Sequence, residues 1–307
     1  MRRRELLGLV AGVVGTASCD RRASHEPGSS PPRPAPSPAA SAAERWRELS
    51  FAPGTQWTTP QRATVLAQSG SPLLVALHGR GEAGRGLEIG ARGWRDDYDL
   101  DRAVRRAQHP PLTKADFHGF VRPQRLAELN ASLAARPFTG LSVACPYTPA
   151  LPDRSLQGAS GFASFVTDQL IPQVRQTLAL KADRQRTGID GVSMGGRLAL
   201  LLGLSHPEVF GAVGALQPAI RAAEAEWLAE LASQAMARHP VRLRLVSSDG
   251  DPFLGAVRAL AKELDRHQVP HQVIVTPGPH DYSWNRGPGS YEMLLWHERV
   301  LRNLPPP

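Results

Sequence analysis

The pentapeptide Gly191-Val192-Ser193-Met194-Gly195 sits between a short β-rich run, TGIDGV, and an apolar helical pattern from Met194 to Ser205. Glycines two positions either side of a serine suit a sharp strand-to-helix turn, where neighbouring backbones leave no room for side chains. Few architectures present such a turn, and the rest of the chain narrows them further. Apolar strand candidates lie at 73–77, 141–144, 187–192, 212–216, 241–246 and 269–275. Helical patterns fall between them at 162–178, 194–205, 222–237, 253–267 and 291–301. Strands alternating with helices predict an α/β fold built on a mainly parallel, doubly wound sheet.

One stretch interrupts that alternation. About sixty residues separate the strand ending at Leu77 from the one beginning near Leu141, with helical segments near 98–108 and 121–133, too long for a bare loop in a compact domain. Residues 82–138 therefore read as a helical, cap-like insertion, since such segments often form lids or pocket walls.

The folded domain is expected over 46–307, without internal repeats. Before it, residues 19–45 are rich in Pro, Ser, Ala and Arg, which cannot bury enough apolar surface to offset chain entropy; they read as a disordered tether. Residues 1–18 read as an export signal: Arg2, Arg3 and Arg4 precede an apolar run, Leu6 to Val14, too short to span a bilayer. RRRELLG resembles a twin-arginine export motif, and Thr16-Ala17-Ser18-Cys19 resembles a lipobox with Thr16 where Leu is usual. Lipidation of Cys19, with attachment to a membrane, and simple cleavage are both open; either implies a periplasmic or cell-envelope destination. Cys145, the only other cysteine, follows an apolar run and reads as a buried structural thiol.

The net charge of +8 does not indicate a nucleic-acid partner. Six of the arginines lie in the first 33 residues, the rest are dispersed, and no nucleic-acid motif spacing appears.

A serine hydroxyl attacks an acyl carbon only with a base to take its proton, an acid to orient that base and donors for the developing oxyanion. In a strand–turn–helix context the acid and then the histidine follow the serine in sequence. His280 lies in a Pro- and Gly-rich loop, GPHDYSW, just past a strand, and is the preferred base. His271 on a strand reads as structural, and His206, His239 and His267 as surface residues. The strand-end loop SSDGDPFL offers Asp251 as the preferred acid, with Asp249 as a turn former; Asp281 is a third possibility beside the base. Oxyanion donors are expected at the Met194 N–H and, from the early loop LHGRGE, at the Arg80 N–H. His78 is expected to fix that loop through hydrogen bonds. Trp94 and Trp284 are candidate walls of an apolar or sugar-facing pocket, with core packing as the alternative.

The segments LHGRGE, GVSMGGRLAL, SHPEVF, DPFL and GPHDYSW together resemble the esterase branch of the α/β-hydrolases, which includes esterase D-like, feruloyl-esterase-like and enterochelin-esterase-like enzymes and the mycolyltransferases. The resemblance covers roughly Leu73 to Leu301. It implies the α/β-hydrolase fold, an acyl-enzyme at Ser193, no metal and no organic cofactor. A small-molecule or polysaccharide-linked ester is the expected substrate. An acyltransferase of the same fold and a catalytically silent envelope binding protein are the alternatives.

Overall fold

The computed structural model describes residues 45–307. The expectations for the export signal, for Cys19 and for all but the end of the tether lie outside the described residues. Strands β1 (Trp46–Phe51), β2 (Gln61–Leu66), β3 (Leu73–Leu77), β4 (Ser142–Pro146), β5 (Thr187–Gly191), β6 (Ala212–Leu216), β7 (Arg242–Gly250) and β8 (Gln272–Pro279) form one sheet. Its order is β1-β2-β4-β3-β5-β6-β7-β8. From β4 to β8 every pairing is parallel, while β1 and β2 are antiparallel additions at one edge.

Every β3 side chain is buried, as a strand covered on both faces requires of a continuous apolar run. Alternate residues serve different layers. Leu73, Val75 and Leu77 join one core cluster, and Leu74 and Ala76 join the other. The first layer is made by residues 156–178 and the helices Met194–Ser205, Ala225–Arg238 and Leu254–Arg266. Met194–Ser205 is buried from Gly195 through Leu204 because it lies between sheet and outer helices. Each fully buried leucine in such a place contributes about 1.5–3 kcal/mol.

The second layer joins the C-terminal helix Ser290–Val300 to the expected insertion. Within 82–138 the chain forms helices Leu100–Gln108 and Pro123–Ala135, whose apolar faces (Leu100, Val104, Leu129 and Leu133) pack in the same cluster as Leu294 and Trp296. Two neighbours explain why the C-terminal helix is buried from Ser290 to Arg299. An ion network fixes this layer. Glu292, 1% exposed, accepts from Arg125 Nη2 at 2.7 Å and Arg244 Nη1 at 3.1 Å, and the Arg244 guanidinium lies 4.8 Å from the Trp296 ring centre.

Topology then locates a crevice. The chain leaves β3 for β4 on one side and returns to β5 on the other, so the loops after β3 and β5 diverge at the carboxyl edge, where open α/β sheets bind ligands.

Candidate active site

Ser193 follows β5 at that crevice. Its backbone lies at φ 58°, ψ −115°, a strained conformation held by bonds on both sides of the turn. Ser193 N–H donates to Leu216 O at 2.9 Å, and Ser193 O accepts from Ala219 N–H at 2.9 Å. The flanking glycines are required by contact: a Cβ at Gly191 would stand 2.5 Å from Gly195 O, and one at Gly195 would stand 2.5 Å from His78 O. Such strain persists only where the surroundings over-determine it.

His280, carried just past β8, brings Nε2 to 3.0 Å from Ser193 Oγ and Nδ1 to 2.9 Å from Asp251 Oδ1. An ionised carboxylate can only accept, so Nδ1 carries the proton and Nε2 is left to accept from the serine hydroxyl. Asp251 has no exposed side-chain surface. It accepts from Ser247 Oγ–H at 2.6 Å and Phe253 N–H at 3.0 Å. The Phe253 ring stands edge-on to His280, 5.4 Å between centres. The other two acids are elsewhere: half-exposed Asp249 accepts from Gly278 N–H at 3.0 Å, and Asp281 accepts from Trp284 N–H at 3.0 Å, capping a short turn.

Arg80 and Met194 each begin a helical turn, and both line the cleft with Ser193. A first-turn N–H has no intrahelical acceptor. Among the described residues neither amide donates to another protein group. His78 behaves as expected of a loop anchor. It is buried, its Nδ1–H donates to Gly79 O at 2.9 Å, and its Nε2 accepts from Thr148 N–H at 2.8 Å. Burial depresses its pKa to about 4, so it is neutral near pH 7.

A second anchor was not legible in the sequence. Gly79 N–H donates to Tyr98 Oη at 3.1 Å; the Tyr98 hydroxyl donates to buried Glu82, and Tyr282 Oη–H donates to the other Glu82 oxygen at 2.6 Å.

Trp94 and Trp284 are corrected by their burial. At 1% and 0% exposure neither can face a substrate. Trp94 packs edge-to-face on Tyr98, and Trp284 donates from Nε1 to Thr276 Oγ1 at 2.7 Å within the second layer. The walls of the cleft, which encloses about 500 Å³, come instead from residues 150–154, Leu198, Leu201, Arg221 and Phe253. No residue of 82–138 lines it. The loop after β4 could have been suspected, because it too leaves the carboxyl edge of a parallel strand. Cys145 is buried in β4, and burial raises its thiol pKa.

The chain is similar to known esterases over part of its sequence and to solved hydrolases in its fold. The family model described as "Putative esterase" matches residues 147–284. A ferulic acid esterase aligns with a TM-score of 0.60 at 16% identity, over 84% of this chain and 99% of its own. An S-formylglutathione hydrolase of Staphylococcus aureus aligns with a TM-score of 0.59 at 16% identity, over 82% and 98%. A fluorophosphonate-binding serine hydrolase of the same organism gives 0.58 at 16% identity, over 82% and 98%. No curated protein matches the chain in sequence. The chain shares the α/β-hydrolase fold of these structures, and the esterase family model covers a little under half of it.

Proposed function

We propose that this chain is a serine esterase that acts through an acyl-enzyme on Ser193. The observation that carries the reading is the continuous hydrogen-bonded line from Ser193 Oγ through His280 to Asp251, at 3.0 and 2.9 Å.

In the proposed mechanism His280 Nε2 takes the hydroxyl proton as Ser193 Oγ bonds to the ester carbon. Asp251 holds the ring in the tautomer that makes this possible and stabilises the imidazolium that forms. The carbonyl oxygen, now negative, accepts from the Arg80 and Met194 amides, which cost no reorganisation because their turns are already fixed. Collapse breaks the bond to the alcohol oxygen, which leaves with the proton from Nε2. Water, deprotonated by the same nitrogen, then attacks the acyl-enzyme, and collapse returns the proton to Ser193 as the acid departs.

A fluorophosphonate probe tests the assignment. Covalent labelling of the natural protein and none of Ser193→Ala is expected; equal labelling of both refutes it. Export with processing at or near Cys19 belongs to the same reading, and the mass of the mature N-terminal peptide checks it: an intact Met1 terminus in secreting cells refutes export, and an unmodified residue other than Cys19 excludes lipidation.

A further inference from the structure

The inference concerns the substrate class of the Ser193 cleft and rests on the esterase reading. Four arginines line the cleft: Arg80, Arg154, Arg197 and Arg221. Two of them are structural. Arg197, 6% exposed, donates from Nε to Glu224 Oε1 at 3.0 Å, and Arg154 reaches the same carboxylate at 3.3 Å and Ala219 O at 2.9 Å. Burial raises the Glu224 pKa, but its hydrogen bonds to Arg197 and the Arg221 N–H, with both guanidinium charges, outweigh that and hold it below the ordinary value. One carboxylate thus serves two guanidiniums.

Arg80 and Arg221 are different. Both are exposed, and among the described residues neither guanidinium forms an ion pair. Among the described residues the one carboxylate lining the cleft is Asp153, which accepts from the Ser155 N–H and Oγ–H, each at 2.8 Å. The other acid nearby, Asp251, is buried behind His280 and engaged. The rest of the lining is largely apolar, with Leu151, Ala159, Leu198, Leu201 and Phe253. A cleft lined by apolar side chains and by two exposed, unpaired fork-shaped donors is complementary to a molecule that joins an apolar stem to a planar anion.

We propose that the Arg80 and Arg221 guanidiniums bind a carboxylate carried by the substrate, so the preferred substrate is an anionic ester rather than a neutral one. Arg80 would act twice in this scheme, through its amide on the oxyanion and through its side chain on the carboxylate. Arg221 acts only through its side chain.

Two matched pairs of esters test this. One places the charge on the acyl side, 4-nitrophenyl hemiglutarate against 4-nitrophenyl valerate. The other places it on the alcohol side, the butyrate ester of 4-hydroxybenzoate against that of methyl 4-hydroxybenzoate. In at least one pair the charged ester is expected to have a kcat/KM about tenfold higher or more, as charge-assisted hydrogen bonds give, and added salt is expected to erode the advantage. Arg221→Gln is expected to lower kcat/KM for the charged ester more than for its neutral partner, so that the difference between them is lost, and Arg221→Lys to restore part of it. Neutral esters cleaved as fast as charged ones in both pairs, or an equal fall for both members in Arg221→Gln, overturns the proposal. Absence of fluorophosphonate labelling at Ser193 would instead overturn the esterase reading beneath it.

Discussion

His78 couples the stability of the turn after β3 to pH. Its ring is buried between the Gly79 carbonyl and the Thr148 amide, and a proton on Nε2 would displace the Thr148 N–H while placing a charge in the interior. Burial, the largest effect, depresses its pKa from 6.5 to about 4. The sign follows from which state binds the proton. Below pH 6.5 the unfolded chain takes up a proton that the folded chain refuses, so stability falls with pH until both bind it near pH 4. With those two values the group costs about 2 kcal/mol between pH 7 and pH 5. The His78→Gln variant retains a neutral side chain that can hydrogen-bond and removes this titration. Urea unfolding of both proteins at pH 7 and pH 5 isolates the difference, because every other group titrates alike in both. The variant is expected to be less stable at pH 7 and to lose about 2 kcal/mol less on acidification. Parallel pH dependences would refute the argument.

Other expectations follow from the same geometry. Asp251→Asn is expected to lower kcat by about 10⁴-fold, through the wrong imidazole tautomer, and Asp249→Asn to change it by less than about twofold; equal effects in steady-state assays would refute the assignment of the acid. Gly195→Ala places a methyl 2.5 Å from His78 O; it is expected to cost about 1–3 kcal/mol and to lower kcat/KM about 100-fold through displacement of Ser193. Glu292→Gln strands Arg244 in the interior and is expected to cost about 3–5 kcal/mol, seen as a Tm lower by roughly 10 °C. Burial raises the Glu292 pKa, but Arg125 and Arg244 hold it below the ordinary 4.5. Its contribution is therefore full above that value and lost as pH falls through the folded one; acid unfolding of Glu292→Gln should lack this part of the slope.

Much of this architecture was legible from periodicity and punctuation. β3, β6 and the Met194–Ser205 helix lie where their apolar runs end, because fully buried elements carry unbroken patterns. The antiparallel edge was not legible. β1 presents two neighbouring exposed positions, Arg47 and Glu48, and only its last residue is fully buried, so no strong alternation marks it. The Ser193, Asp251 and His280 positions were readable because each stands in a loop directly after an apolar strand. Trp94 and Trp284 misled because aromatic residues near a site look alike whether they face the cleft or the core. What decided between the two was the opposite helix layer, formed with residues 82–138, which no local pattern reveals.

That layer acts on the site from behind. Glu82 is the buried junction: Tyr98 joins it to the Gly79 amide, and Tyr282, two residues past His280, joins it to the His280 loop. The hydrogen bond to Glu82 is the main reason the Tyr282 pKa rises to about 12, so at neutral pH both phenols keep the protons that hold the junction together. Two hydroxyl donors compensate the carboxylate, with Arg85 3.9 Å away. An anion satisfied in this way is costly to displace. The turn that presents Arg80 and the loop that presents His280 are therefore fixed to one another without touching the cleft, whose substrate-facing walls remain free to differ in charge. The 82–138 segment contributes Glu82 and Tyr98 to this junction, and the cleft is lined by other stretches, the loop after β4 and Arg221 among them. Arg80 thus reaches the cleft from the turn this junction holds, and Arg221 from a stretch outside it.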